Sequence, residues 1–351
     1  MSVARNITLG LAATALGSMT LAGIAAAQDR DLTVVGWGGS YQDQQGIAYF
    51  EPFTEETGIP ILEESFNGGL SNIMSMVETD SVVWDVVQLE DPELQRACQQ
   101  GYLERLPWDE IGGRDDFIDG GSSECGAGTI VWSIVNAYNT DEVEGTPSGW
   151  DDFFNVEEFP GKRGLRRGAK FNLELALMAD GVAPEDVYET LSTEEGVDRA
   201  FAKLDELKEH IQWWEAGAQP PEWVASGDVA MTTAYNGRID KAQTEGQPVD
   251  IAWEGQIYAI DSWAIISGTS NKDEAVEFIK YVSEPENMSR LQQHIAYGPT
   301  KEAAFESVPE EMAPRLPTAP DNLEGALLNS TEFWVDNQER LDRRFNAWAS
   351  Q

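Results

Sequence analysis

Two periods of apolar residues alternate along this chain. A short apolar run at 32–35 has the length of a buried strand and leads directly into Gly36-Trp37-Gly38-Gly39-Ser40. From 41 to 57 the spacing turns helical, with Ile47, Phe50 and Phe53 on one side and Gly58 as the stop. A strand at 59–63 follows, then a turn at Asn67-Gly68-Gly69, a helix through Ile73, Met74 and Val77, a strand at 84–89 and a helix at 92–100. Such alternation predicts an α/β fold with parallel strands. Farther on, 129–138 is strand-like and 147–164 is loop-rich, with Trp150, Phe153, Phe154 and Phe159 as packing residues. Helices are predicted at 171–179, 184–192 and 194–210, and strands at 212–214, 229–234 and 249–253. A strand at 257–266 is taken as the return into the first lobe. An amphipathic helix at 272–283, apolar at Ala275, Val276, Phe278, Ile279 and Val282, is followed by helices at 285–294 and 333–348. No repeat or low-complexity linker interrupts the pattern.

The N-terminus has the pattern of an export signal. Arg5 supplies the positive end, 7–21 is uncharged and mostly apolar, and Ala25-Ala26-Ala27 offers the small residues a signal peptidase needs, so 1–27 is expected to be removed before Gln28. The competing reading is a retained anchor, since about 20 residues suffice to span a bilayer; the Gly and Ala content and the small-residue site favour cleavage. No Cys follows the apolar run to carry a lipid. Cleavage leaves about 320 residues, too many for one ordinary core and suited to two lobes. In an exported chain the two cysteines, Cys98 and Cys125, suggest one disulfide, contributing about 3–4 kcal/mol in the chain-entropy model; two buried thiols are the alternative. His210 and His294 lie near neither cysteine in sequence, so no metal site is expected.

Charge then narrows the partners. The chain has 62 Asp and Glu against 23 Lys and Arg, a formal net charge of -39, with the acids scattered rather than gathered in a tail. This is the pattern of a solvated acidic surface suited to a salt-rich environment; its field attracts cations and repels nucleic acid. No basic patch with interleaved aromatics appears, so nucleic acid is not an expected partner.

Candidate site residues lie where strands end, because ligands of α/β sheets sit beyond the carboxyl ends of the strands. Trp37, Ser40 and Tyr41 follow the first strand, with glycines that let backbone approach a ligand or simply make the turn. Glu90 and Asp91 follow the third; Asp91 before Pro92 fits an ordinary helix cap, whereas Glu90 is open to a ligand cation. Asp261 sits inside an apolar strand, where a lone acid is costly unless paired or facing a cleft. Tyr235 heads the turn at Asn236-Gly237 and offers an aromatic face to a cation, and Tyr297 heads the turn at Gly298-Pro299, though an aromatic taken alone is more often a core residue than a ligand contact. Arg166, Arg167 and Lys170 belong to the one basic run, 162–170, which is suited to an anion ahead of a helix or to surface ion pairs. There is no nucleophile elbow, phosphate loop or metal-ligand spacing, so catalysis and cofactors are not expected. A secreted hydrolase working through paired carboxylates is the rival from another class.

Several stretches taken in order resemble the extracellular solute-binding proteins of bacterial ABC transporters, close to the spermidine/putrescine-binding branch. They are Gly36 to Tyr41, Phe53-Thr54-Glu55-Glu56-Thr57-Gly58-Ile59, Trp84-Asp85-Val86-Val87, Gly227-Asp228-Val229-Ala230-Met231, Ala234-Tyr235-Asn236-Gly237, Ile260-Asp261-Ser262-Trp263-Ala264-Ile265 and Tyr297-Gly298-Pro299-Thr300. The resemblance implies two α/β lobes, each a mostly parallel sheet flanked by helices, with the ligand cleft between them. It places crossovers near Tyr138 and Ile257, giving lobe 1 as 28–138 with 257–310 and lobe 2 as 139–256 with 311–351. It also implies a monomeric periplasmic receptor that delivers a polyamine-like solute to a membrane permease, with Asp261 on an ammonium group and Trp37, Tyr41, Tyr235 and Tyr297 as walls. Two departures stand out. Arg166, Arg167, Gly168 and Lys170 occupy the place of the branch's usual acidic pair, leaving Glu174 as the nearest acid and Glu215 as a substitute, and Ala259 stands where an aromatic usually precedes Asp261 by two positions. They leave open an anionic or zwitterionic amine as the ligand.

Overall fold

The computed structural model describes residues 30–350; the expected signal segment 1–27 lies outside them. Among the described residues the strands are β1 (Leu32–Gly36), β2 (Ile61–Ser65), β3 (Val86–Glu90), β4 (Ala127–Asn139), β5 (Arg163–Arg166), β6 (Ile211–Trp214), β7 (Met231–Tyr235), β8 (Val249–Ile265) and β9 (Leu327–Leu328). They form one sheet in the order β2-β1-β3-β8-β4-β7-β5-β6, with β9 beside β8. At one end β2, β1 and β3 pair in parallel, and at the other β6, β5 and β7 do the same. Between them β4 and β8 run antiparallel to each other and to β3 and β7.

The burial pattern explains the layering. Every residue of β1, β3 and β4 is buried, as expected of strands covered by helices on both faces. Outermost β2 is exposed from Leu62 to Ser65, and Glu63 and Glu64 discourage pairing along that edge. The bridge Cys98–Cys125 ties the helix Asp91–Gln99 to the loop before β4.

Several elements differ from the expectation. The two strands predicted at 249–253 and 257–266 are one strand, β8, bent at Gly255 (φ 73°), with a register shift against β4 between Ile134 and Asn136. The helix predicted at 41–57 contains a π-helical turn at Gly46–Phe50. Phe50 and Phe53 are buried as expected, but Ile47, within that wider turn, is exposed. The segment 285–294 is two short turns, Pro285–Met288 and Leu291–Gln293. Asp91 is not a cap: it is the first helical residue, and Glu90 occupies the cap position without a side-chain capping bond. Strand β5 lies inside the basic run and was not predicted. Arg163 is fully buried there, donating to the carbonyls of Phe153 (2.7 Å), Gly161 (3.0 Å) and Phe159 (2.5 Å), so its charge serves loop backbone.

The C-terminal helix Thr331–Ala349 straps the molecule. Arg96 Nη2 donates to its Gln338 (3.1 Å), while Arg340 and Arg344 reach back to Glu194 (2.9 Å) and Asp198 (2.5 Å). Beneath it Glu174 is buried, accepting from Trp334 Nε1 (2.6 Å), Tyr188 Oη (3.2 Å) and Asn329 Nδ2 (3.4 Å), with its Oε2 left unpartnered. Glu174 is therefore a core residue under the strap and does not replace the missing acidic pair. Burial pushes its carboxyl up to about 7, more than the hydrogen bonds from Trp334 and Tyr188 lower it. A raised acid stabilises the fold through its protonated form, fully below the unfolded value near 4.5, and that contribution is lost as pH rises through 7. The loss amounts to about 3 kcal/mol. Denaturant melts of Glu174→Gln should therefore lose less stability between pH 5 and 8 than the wild type, and coincident slopes would show that Glu174 is ionised in the native state.

Candidate functional site

Sheet register builds the site. Glu90 of β3 lies directly opposite Asp261 of β8, which in turn pairs with Ile130 of β4. Side chains directly opposite on antiparallel strands share a face, so two carboxylates meet inside the protein, a destabilising arrangement unless their charge is resolved. Both residues are 3% exposed.

The two acids are resolved differently. Glu90 Oε1 accepts from Arg166 Nη1 at 3.0 Å, and its Oε2 lies against Lys170 Nζ, which also stands 3.8 Å from Glu93. Burial opposes ionisation of Glu90, but the charges of Lys170 and Arg166 outweigh it and hold the carboxyl at about 2. Asp261 has no cation. Its Oδ2 accepts from Trp37 Nε1 (2.7 Å) and Gln88 Nε2 (3.1 Å), and its Oδ1 from Trp132 Nε1 (2.5 Å). Burial and the charge of Glu90 raise the Asp261 carboxyl well above its ordinary range despite these donors.

A small cleft opens onto this pair. Its walls are Trp37, Tyr41, Trp132, Tyr235, Tyr297 and Ile130, with Glu90, Asp261 and Arg238 as the charged groups. The rings brace one another edge to face: Tyr41 against Tyr297 with centroids 5.1 Å apart, Trp132 against Tyr235 at 5.1 Å, and Trp214 behind Tyr235 at 5.6 Å. Tyr41 Oη accepts from Gln88 (2.7 Å) and Gln45 (3.0 Å), tying the first-loop helix to β3.

Arg238, in the first turn of the helix Asn236–Thr244, completes the lining. It is 3% exposed and donates from Nη2 to the carbonyl of Trp37 at 3.2 Å, while its buried Nε and Nη1 have no acceptor. Gly39 makes room for it: a Cβ there would lie 2.7 Å from Nη1, and the φ of 62° is one that glycine adopts freely. A buried guanidinium with unmatched donors is suited to a carboxylate ligand.

The structure brings together Trp37, Tyr41, Glu90, Tyr235, Asp261 and Tyr297 as expected from the sequence, but not the other candidates. Ser40 lines an outer groove with Gly39 and Lys241. Arg166 and Lys170 are engaged by Glu90, and Arg167 is exposed, 3.9 Å from a more exposed Glu215. Glu215 therefore supplies no acid to the cleft. Sequence reasoning missed Arg238, although it follows the singled-out Tyr235-Asn236-Gly237 by one position. It also missed Trp132, which pairs across the sheet with Ala259 and fills the space where an aromatic seemed absent. Among the described residues no cluster of acids, histidines or cysteines could hold a metal, and no helix is long and apolar enough to cross a membrane.

Comparison with known proteins agrees with this architecture. Residues 48–318 match the family described as bacterial extracellular solute-binding protein. A gamma-aminobutyric acid-binding protein of Pseudomonas aeruginosa is 48% identical over 96% of both chains. Among solved structures, the periplasmic binding protein MotA of Agrobacterium tumefaciens B6 in complex with glucopine superposes with a TM-score of 0.86 at 28% identity, covering 91% of this chain and 100% of that one. The Atu4243 GABA receptor gives a TM-score of 0.80 at 30% identity, covering 91% and 98%. Polyamine-binding periplasmic proteins are more distant, at 21–23% identity. The fold is accordingly the two-lobed one of periplasmic binding proteins, whose members bind solutes rather than transform them. The chain belongs to the bacterial extracellular solute-binding proteins and serves an ABC transporter as the component that captures a small-molecule solute outside the cytoplasmic membrane.

Proposed function

We propose that this protein is a monomeric periplasmic receptor for a short ω-amino acid, a molecule with one ammonium and one carboxylate group such as gamma-aminobutyric acid, which it delivers to its permease. The observation that carries this reading is the cleft's single uncommitted cation, Arg238, set in the same lining as the uncommitted acid Asp261. The ligand carboxylate would take the free Nε and Nη1 of Arg238, its ammonium would take Asp261, and the rings of Trp37, Tyr41, Tyr235 and Tyr297 would pack on its methylenes. The name of the 48% identical relative supports the same class. The zwitterionic alternative thus displaces the polyamine expectation, with the carboxylate moved from the basic run to Arg238.

Capture would proceed by lobe closure about the two long strands β4 and β8, with lobe 1 at 28–138 and 257–310 and lobe 2 at 139–256 and 311–351. Arg238 on Trp37 and Arg166 on Glu90 join residues assigned to opposite lobes, so ligand contacts to Arg238 and Asp261 would favour the closed state. Export through a cleaved signal at 1–27 completes the proposal.

Titration calorimetry with 4-aminobutyrate tests the assignment. Arg238→Gln should weaken binding at least about a hundredfold, the scale of losing a buried charge-assisted pair; unchanged affinity would remove Arg238 from the site. Asp261 gives a second test. Glu90, Asp91 and the indole donors of Trp37 and Trp132 surround it, and burial and the charge of Glu90 raise its carboxyl well above the ordinary range. An arriving ammonium favours the carboxylate, so binding should release a proton and weaken as pH falls. The observed enthalpy should therefore vary with the ionisation enthalpy of the buffer in the wild type and much less in Asp261→Asn; equal dependence in both would show that Asp261 does not meet the ammonium.

A further inference from the structure

Glu90 lines the cleft, but the two cations it holds do not. Arg166 instead lines a second pocket, together with Asn67, Arg167, Glu215 and Asp342. The Glu90–Arg166 pair is thus the partition between the two spaces. It is held from several sides. The Arg166 guanidinium lies 5.9 Å from the ring centroids of both Tyr235 and Phe171, and Lys170 Nζ lies 5.4 Å from that of Phe171 and close to Glu93. Its partners also come from distant parts of the chain, the end of β3 on one side and the segment from β5 to the helix Asn172–Ala179 on the other.

Counting charges gives the partition a meaning. The cleft contains two carboxylates on one face, which in isolation would suit two ammonium groups. Arg166 and Lys170 already stand on one of them, as a second ammonium would. What remains is one acid, Asp261, and one free cation, Arg238. We propose that Arg166 and Lys170 are specificity-determining residues: as built-in counter-cations of Glu90 they deny the cleft a second ammonium, restrict it to ligands with a single amine, and close its far end. This inference deepens the ω-amino acid reading and rests on it for the wild-type ligand.

The experiment is calorimetric titration of purified protein with 1,4-diaminobutane and, separately, 4-aminobutyrate. In Arg166→Gln/Lys170→Gln, freed Glu90 faces Asp261, and affinity for the diamine should rise at least about tenfold over wild type, or 1.4 kcal/mol. Adding Glu90→Gln to that pair should abolish the gain. A folded double variant, judged by circular dichroism and a cooperative melt, with wild-type diamine affinity would overturn the proposal, as would a gain that survives Glu90→Gln. If the double variant does not fold, Arg166→Gln alone, which leaves Lys170 on Glu90, should still show a smaller gain, and none would likewise overturn it. Because the test compares diamine affinity between variants, it is read independently of whether wild type binds 4-aminobutyrate, the outcome on which the ω-amino acid reading stands or falls.

Discussion

Two carboxylates facing each other across neighbouring strands are the constraint around which this cleft is organised. Register fixes Glu90 opposite Asp261, and their burial removes the water that would otherwise screen them. One acid is neutralised by permanent cations, Lys170 and Arg166, and the other has no cation: burial and the charge of Glu90 oppose its ionisation while indole and amide N–H groups satisfy its oxygens. The asymmetry leaves Asp261 as the acid of the pair that no protein cation neutralises, set among the aromatic walls of the cleft.

The same face couples the site to the fold. β4 and β8 carry Ile130, Trp132 and Asp261 between the two parallel ends of the sheet. Arg238 and Arg166 come from segments after β4, yet their partners, Trp37 and Glu90, sit at the ends of β1 and β3. Two charged contacts therefore tie the segments after β4 to the ends of β1 and β3. They have opposite status: Arg166 is saturated by protein, whereas Arg238 keeps donors in reserve. On the proposed reading a ligand would add to the second contact and find the first already made.

Much of this was legible in the sequence because the cost of a polar residue in an apolar run is a local property. Asp261 and Glu90 stood out within or at the end of buried strands, and Trp37, Tyr41, Tyr235 and Tyr297 followed strand ends, where an α/β sheet binds ligands. What was not legible depended on long-range pairing. Trp132 is one apolar residue among many until register sets it beside Ala259 and within reach of Asp261. The basic run suggested an anion site because its charges were visible and their partner, Glu90, lay 76 positions away. Arg238 drew no reading of its own, since nothing local shows that two of its donors lack an acceptor.

Surface and interior then act on ligands in opposite senses. A chain with a formal charge of -39 surrounds itself with a potential that concentrates cations, and dications more strongly than single ones, whereas a zwitterion with no net charge gains little from it. The field alone would make this an effective collector of diamines. A receptor in this setting would obtain preference for a zwitterion only from groups that screening and surface acids do not reach, which means groups buried in the cleft or directly behind it. Lys170 at Glu90 and Arg238 at the opposite function meet that condition: both are nearly inaccessible to solvent, and both present positive charge where the surface presents negative. Discrimination by this route would leave the surface unchanged, so an acidic exterior and a cleft selective against dications would be compatible in one chain.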